Sequence, residues 1–245
     1  MSARRVLRTA VRVLLQLRGD PRTVALLLLV PCVLMTLLHY VYNDQPLVFD
    51  RIGPMLLVLF PFTVMFVVTS VGMLRERTGG TLERLLTTPM AKLDLLTGYA
   101  LAFGAVALVQ VALVLVVTTG PLQLQLSGSV AWLVVVAELD ALLGMALGLL
   151  ASAFARSEFQ AVQFLPAFVL PQLLLCGLFT PRAAMAAPLR WLSEVAPLTY
   201  AVDGASHVAA GDGLSGRLGV DLLVVALCIP VALGLGALTL RRRSD

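Results

Sequence analysis

The sequence predicts an all-α membrane protein with six transmembrane helices, on three observations. Of its 245 residues, 59% are hydrophobic and only 13% are charged, whereas soluble domains are about half apolar and about a quarter charged. The apolar residues are gathered in six runs, each near the ~20 residues that a membrane-spanning helix needs. Arginines cluster at both ends of the chain and in one internal loop, which is typical of cytoplasmic loops of membrane proteins rather than of a nucleic-acid-binding surface.

The predicted spans fill most of a single transmembrane domain, residues 1–245, and leave no room for a sizeable soluble domain. Prolines within the spans indicate kinks, which neighbouring helices and water make tolerable by bonding the freed carbonyl groups. The six spans cover about residues 23–42, 52–74, 95–119, 130–154, 159–179 and 218–240.

Residues 3–18, ahead of the first span, are predicted to form an amphipathic helix at the membrane surface. On a helical wheel the apolar side chains fall opposite the arginines, a pattern typical of a helix that lies in the interface. The alternative is a signal peptide, which the long basic segment and the lack of a small-residue cleavage site disfavour. The arginines on the basic side are Arg4, Arg5, Arg8, Arg12 and Arg18.

The distribution of basic residues predicts the topology. If both termini are cytoplasmic, 14 of the 18 Lys and Arg residues lie inside and only Arg51, Arg182, Arg190 and Arg217 lie outside. Cytoplasmic loops carry the excess of Lys and Arg in membrane proteins. We therefore expect a multi-pass protein with both ends in the cytoplasm, and this requires an even number of spans.

Two connecting segments are more than simple links. In residues 75–94, Gly79-Gly80 breaks the preceding helix, Thr81 can cap a short helix, and Pro89 ends it. This segment is either a charged connector that only sets topology or a docking surface for a partner protein. In residues 180–217, the apolar stretches are too short to span, which predicts one or two helices that dip into the outer face or lie along it. Trp191, Pro197 and Tyr200 belong to this outer cap, and Trp and Tyr favour interfacial depth.

The sequence contains none of the common catalytic motifs. There is no GxxxxGK[ST] phosphate-binding loop, no GxSxG and no HExxH. His39 and His207 lie far apart in sequence and outside any metal-ligand pattern, and the three cysteines are isolated. We therefore expect no catalytic site, no metal site and no ATPase activity of the chain's own.

Two acidic residues, Glu138 and Asp140, interrupt the fourth span. Each charged acid at the midplane costs roughly 2.5–3.5 kcal/mol on insertion scales. Residues two positions apart on a helix point about 200° apart, so Glu138 and Asp140 cannot share one face. Residues four positions apart do share a face, as Asp140, Gly144, Gly148 and Ser152 do. Such a stripe of small residues favours close helix contact and places Asp140 in the bundle interior. Glu138 and Asp140 are therefore either buried polar anchors or part of substrate passage or gating.

Two stretches resemble a known family. Leu74–Pro89, LRERTGGTLERLLTTP, resembles the cytoplasmic-loop motif of ABC-2-type transporter permeases, which is close to RERExGTLExLLxTP. Gly177, Phe179 and Pro181, followed by Pro197-Leu198-Thr199-Tyr200, are similar to the family's region before its last span. The resemblance is greatest to daunorubicin-resistance-type permeases for drug or lipid export. Thr78 and Ala196 depart from the pattern, where the family often has Glu and Asn.

The resemblance implies a permease subunit of an ATP-binding-cassette exporter in the bacterial plasma (inner) membrane. Two copies of a soluble phosphate-loop ATPase would bind ATP and Mg and hydrolyse the ATP. A second permease, identical or homologous, would complete the path for an amphipathic drug, lipid or glycoconjugate. The short helix in the loop would be the coupling helix, and the basic N-terminal helix would flank it. The implied docking residues are Arg75, Glu76, Arg77, Gly80, Thr81, Leu82, Glu83, Arg84 and Leu85.

Two other functions compete with this interpretation. A proton-coupled secondary transporter would use Glu138 or Asp140 and would need no ATPase, although the spans show no obvious inverted repeat. A non-transporting membrane scaffold would instead use the outer cap to bind a partner.

Overall fold

A computed structural model describes residues 3–79, 92–214 and 216–239, and this part of the chain is helical apart from its connections. It contains nine α-helices and one short 3-10 helix, Arg182–Ala184. The α-helices are α1 (Ala3–Arg18), α2 (Pro21–Val41), α3 (Pro46–Thr78), α4 (Lys92–Thr119), α5 (Val130–Ser152), α6 (Glu158–Leu175), α7 (Ala187–Val195), α8 (Pro197–Ala209) and α9 (Gly216–Thr239).

The predicted fold class is confirmed. Six of the helices, α2 to α6 and α9, are long and apolar enough to cross a membrane. The prolines predicted to lie within spans are all inside these helices. The described part of residues 180–217 contains two short α-helices, α7 and α8, and their place in or along the outer face of the membrane stays a prediction.

Hydropathy located the spans but not the helix ends. Helix α3 has 33 residues and is about 50 Å long, so it extends beyond the predicted 52–74 in both directions. Its last turn takes in Arg75–Thr78, and Gly79 ends it by donating its N–H to the Arg75 carbonyl. The connecting segment therefore starts at Gly79 rather than Arg75. Helix α6, in contrast, ends at Leu175, four residues before the end of the predicted span 159–179, because Gly177 turns the chain with a φ of +94°.

Local sequence signals explain where several helices begin. Asp20 caps α2 by accepting hydrogen bonds from the Thr23 N–H (3.2 Å) and hydroxyl (2.6 Å), which satisfies one of the unpaired donors at a helix start. Ser157 caps α6 through the Gln160 N–H. Proline occupies the first turn of α2, α3, α7 and α8, where its missing N–H costs nothing.

Helix α5 forms the centre of the bundle, with α3, α4, α8 and α9 packed around it. Its apolar side chains belong to two buried clusters. One surrounds Phe62 and Leu133, and the other surrounds Met65, Tyr99 and Met145. The second cluster includes residues of α1, so we call that end of the bundle the N-terminal side.

Both ends of the described chain lie on the N-terminal side. Gly236, near the end of α9, approaches Leu150 near the end of α5, and α1 packs against the start of α4. A chain that crosses the membrane an even number of times begins and ends on the same side, so this arrangement agrees with six spans. The outward faces of α2, α6 and α9 carry exposed apolar side chains such as Leu29, Leu174 and Leu227, as expected of surfaces that meet lipid or another membrane helix.

Candidate functional site

The last turn of α3 carries three consecutive charged residues, and each contacts a different helix. Arg75 pairs with Glu158 of α6, Glu76 pairs with Arg12 of α1, and Arg77 donates to the Ser152 carbonyl of α5. Successive helical residues point about 100° apart, so three neighbours in sequence reach three directions. We call this turn, Arg75–Arg77, the charged hub.

The Arg12–Glu76 ion pair fastens α1 to the bundle. The two terminal guanidinium nitrogens of Arg12, Nη1 and Nη2, donate to Glu76 at 3.0 Å and 3.4 Å, and the side chains of Arg12 and Glu76 are only 27% and 10% exposed. Burial acts to lower the pKa of Arg12, but the charge and hydrogen bonds of Glu76 outweigh it, and the pKa is raised. Arg12 therefore remains charged at neutral pH, and the carboxylate of Glu76 faces α1.

The packing of α1 supports the same attachment. Thr9, Ala10 and Val13 are buried, and Thr9 lies so close to Gly98 of α4 that a Cβ at Gly98 would be 2.5 Å from the Cβ of Thr9. Residue 98 therefore has to be glycine for the two helices to approach this closely. Arg4, Arg5 and Arg8 are exposed on the other side of α1. The position of α1 at a membrane surface stays a prediction.

The remaining two contacts of the hub differ in exposure. Arg75 forms a two-point pair with Glu158 at 2.7 and 2.9 Å, but both side chains are more than half exposed, where such a pair contributes at most about 1 kcal/mol. Arg77 donates to the Ser152 carbonyl at 2.6 Å. Carbonyls at a helix C-terminus lack intrahelical partners, and a cation there also offsets the helix dipole.

The segment that directly follows the hub contains most of the predicted docking residues. Gly80, Thr81, Leu82, Glu83, Arg84 and Leu85 lie outside the residues that the structure describes. Their docking role, and that of Arg75, Glu76 and Arg77, stays a prediction. What the structure adds is that the helical turn entering this segment is tied to α1, α5 and α6.

The stripe of small residues on α5 makes the close contact that its spacing predicts. A Cβ at Gly144 would collide with the Phe62 backbone, and a Cβ at Gly148 would collide with the Phe66 carbonyl and the Thr69 hydroxyl. The Thr69 hydroxyl lies 3.2 Å from the Met145 carbonyl across the same interface. The sequence predicted the face of α5 but not its partner, which is α3.

The two acids of α5 face different neighbours. Asp140 is fully buried, as its place on the stripe predicts, and neither of its oxygens makes a hydrogen bond among the described residues. Glu138 instead approaches α4, where its Oε1 would lie 3.1 Å from a Cβ at Gly104. The 200° separation predicted this divergence. A role of either acid in transport or gating stays a prediction.

The outer cap is held on the opposite side of the bundle by polar contacts. Arg182 forms an ion pair with Asp203 of α8 and donates from Nε to the Ser193 hydroxyl of α7 (3.1 Å). The Tyr200 hydroxyl donates to the Glu194 carbonyl (2.7 Å), and the Gln172 side chain accepts from the Leu198 N–H (3.3 Å). Pro197 lies in the first turn of α8, and Trp191 is exposed on α7.

Comparison with known protein families identifies the family of this chain. The model of the ABC-2 type transporter family matches residues 5–209, which include α1, the hub, α5 and most of the outer cap. The chain belongs to the ABC-2 type transporter family. As a member with six apolar spanning helices, it is a multi-pass membrane protein.

Several curated ABC proteins are similar to this ABC-2 chain. It is 27% identical over 180 residues to the probable multidrug ABC transporter permease YbhS of Escherichia coli, covering 73% of this chain and 48% of that protein. It is 29% identical over 150 residues to the probable permease YbhR of the same organism, covering 61% and 41%. With ABC transporter G family member 20 of Dictyostelium discoideum it shares 26% over 159 residues, covering 65% and 22%. The chain thus spans less than half of these relatives.

Sequence reasoning missed several residues that the ABC-2 fold brings into the site. Glu158, Gly98, Arg182 and Asp203 were not among the candidates, although Glu158 follows a capping serine and marks a helix start. All four make contacts with residues distant in sequence, and the Glu158 contact with Arg75 spans 83 residues. A pattern along one helix carries no signal for such contacts.

Replacing Asp203 by Asn is expected to make the stability of this ABC-2 chain less dependent on pH. Burial raises the pKa of Asp203 despite the nearby charge of Arg182. A folded-state pKa above the unfolded value favours the folded state at low pH, and this contribution is lost as pH rises through the raised pKa. The measurement is the melting temperature of detergent-solubilised protein from below the ordinary aspartate pKa to neutral pH. An unchanged pH dependence in Asp203→Asn would contradict the assignment.

Proposed function

We propose that this chain is the transmembrane permease subunit of an ABC exporter and that a separate phosphate-loop ATPase drives it. Membership of the ABC-2 family supports the transporter class. The relatives named as probable multidrug ABC transporter permeases support a drug-like cargo. These 245 residues contain no phosphate loop, and the proposal therefore places the ATPase site on a separate subunit.

The observation that carries the proposal is the charged hub at the entrance to segment 79–91. A docked ATPase that moves this segment would move the last turn of α3. Because Glu76 and Arg77 are bonded to α1 and α5 in partly buried contacts, and Arg75 to α6 in an exposed one, the movement would reach three further helices. Packed side chains, ion-pair networks and rigid secondary elements are what carry coupling between distant sites.

The rest of the complex follows from this arrangement. The N-terminal side would be cytoplasmic, in agreement with the distribution of basic residues. Two ATPase subunits would bind ATP and Mg, and a second permease, identical or homologous, would cover one of the apolar outward faces. The location would be the bacterial plasma membrane. Glu138 and Asp140 would line or gate the path only if it passes between α4 and α5 or between α3 and α5.

Replacing Glu83 and Arg84 together by Ala is expected to reduce ATPase binding and ATPase stimulation at least about tenfold, the loss of roughly 1.4 kcal/mol of docking free energy. The permease would be co-expressed with a candidate phosphate-loop ATPase subunit, purified through a tag on the permease, and assayed for ATP hydrolysis in vesicles. A matched control is the double substitution Arg190→Ala and Glu194→Ala on the opposite side, since both side chains are exposed on α7. It should leave binding and hydrolysis unchanged.

The two parts of the proposal fail separately. If the Glu83/Arg84 variant binds and stimulates the ATPase as the control does, the docking assignment is wrong but the exporter remains. If the unchanged permease neither retains an ATPase nor stimulates hydrolysis, the exporter proposal itself is wrong.

A further inference from the structure

A cavity of about 420 Å³ opens on the N-terminal side, between α1, α2, α3 and α4. One end is polar, with Gln16, Asp20 and Thr23 on one wall and Arg75 and Glu76 on another. The other end is apolar and is lined by Val67, Val68, Val71 and Phe103. A cavity with this division suits a ligand with a charged head and a hydrocarbon tail rather than a uniformly polar solute.

The cavity has the depth of one membrane leaflet. Along α3 its lining runs from Val67 to Glu76, nine residues at 1.5 Å each, or about 14 Å. The hydrocarbon core of a bilayer is about 30 Å thick, so a single leaflet contributes about half of that. The polar end lies beside the charged hub, and the apolar end points toward the middle of the bundle. A single acyl chain therefore matches the cavity in both length and direction.

The polar end presents charges of both signs. The carboxylate of Asp20 is held in place by Thr23, and hydrogen bonds from Thr23 lower its pKa, with a smaller contribution from the charge of Arg75. Asp20 is thus ionised at neutral pH and close enough to Arg75 to interact with it. Arg75 donates two of the five N–H groups of its guanidinium to Glu158, which leaves further donors for a phosphate. The site offers an anion for an ammonium group and a cation for a phosphate.

We propose that this cavity binds a phospholipid from the leaflet on the N-terminal side, with an ammonium-bearing head group on Asp20, its phosphate near Arg75 and one acyl chain along Val67–Gly72. The ligand class is that of phosphatidylethanolamine. This site goes beyond the exporter function, and it depends on the membrane location alone, not on an ATPase partner.

Gly72 offers a direct test because it lines the cavity and a Cβ placed there meets nothing within 4 Å. The side chain in Gly72→Leu would occupy the acyl-chain end of the cavity, starting from a Cβ that meets no neighbouring atom. Leu also favours a helix more than Gly does. Gly234→Leu in α9 is the matched control, since Gly234 also has nothing within 4 Å and lies outside the cavity.

The experiment uses the full chain in nanodiscs of phosphatidylethanolamine and phosphatidylglycerol, followed by mild detergent release and native mass spectrometry of the retained lipid. The unchanged protein and Gly234→Leu should retain phosphatidylethanolamine preferentially, and Gly72→Leu should retain at least about tenfold less. Equal retention in Gly72→Leu and Gly234→Leu would overturn the site.

Asp20→Asn tests the head group without removing the helix cap, because Asn caps helices as well as Asp does. The preference for phosphatidylethanolamine over phosphatidylglycerol should fall about twofold to fivefold, the range for loss of one solvent-accessible charge contact. The head-group assignment would be overturned if Asp20→Asn kept the full preference for phosphatidylethanolamine. It would also be overturned if the protein without substitutions favoured phosphatidylglycerol, even with an acyl chain bound.

Discussion

Alanine in place of Gly144 or Gly148 is expected to abolish recovery of folded protein or to lower its stability by at least about 2 kcal/mol, within the range for overpacked cores. At both positions the added methyl group would collide with backbone atoms of α3, those of Phe62 at Gly144 and of Phe66 at Gly148. A backbone atom inside a helix cannot step aside as a side-chain end can. The two helices must therefore separate along their length.

Separation of α3 from α5 would affect more than one interface. The Thr69 hydroxyl would move away from the Met145 carbonyl, and Asp140, one turn from Gly144, would lose its close-packed surroundings. The Arg77 bond to the Ser152 carbonyl depends on the same helix pair. Because α5 is the centre of the bundle, the loss would extend to the packing of α8 and α9.

The matched control is Gly234→Ala in α9, where a Cβ meets nothing within 4 Å. It makes the same chemical change in a helix of the same kind, and Ala should be neutral or stabilising by up to about 1 kcal/mol. Fluorescence-detected size-exclusion chromatography would give the folded fraction, and thermal melts in detergent would give the stability. A Gly148→Ala protein that behaves like Gly234→Ala would show that α3 and α5 are not in direct backbone contact.

The stripe shows how far sequence reasoning reached for the fold. The spacing of Asp140, Gly144, Gly148 and Ser152 was sufficient to predict one buried face with close helix contact, and both features are present. The identity of the partner helix could not be predicted, because periodicity describes one helix and not its neighbour. Hydropathy likewise located each span, but it stopped α3 at Leu74 since it registers the membrane core and not the helix end.

The charged hub shows the same limit for the candidate site. The motif around Arg75, Glu76 and Arg77 predicts either a charged connector or a docking segment. In the folded chain all three make contacts within the protein. Helical geometry implied that their side chains diverge, but their partners are 64 to 83 residues away in sequence. Such pairings depend on how the helices assemble, which no local pattern records.

Reversing the charge of Arg12 or Glu76 alone is expected to detach α1 and to lower stability by about 1–3 kcal/mol, the cost of leaving a half-buried charged group without its partner. Arg12→Glu would set two carboxylates against each other, and Glu76→Arg would set two guanidinium groups together. The combined exchange restores an ion pair of opposite polarity. It should recover much of the loss, with a coupling free energy of roughly 0.5–3 kcal/mol for residues in contact.

Arg8→Glu provides the control for this cycle, because Arg8 lies on the same helix with its side chain exposed. That variant reverses the same charge outside the pair, so it separates the effect of the ion pair from that of net charge on α1. Thermal melts of the four proteins of the cycle give the coupling free energy directly. Arg8→Glu is measured beside them, and proteolysis of α1 is the second measurement for all five proteins. If the exchanged double variant is as unstable as the two single effects added together, Arg12 and Glu76 do not act as a pair. Recovered stability with lost ATPase stimulation would instead show that the polarity of the hub itself is needed for coupling.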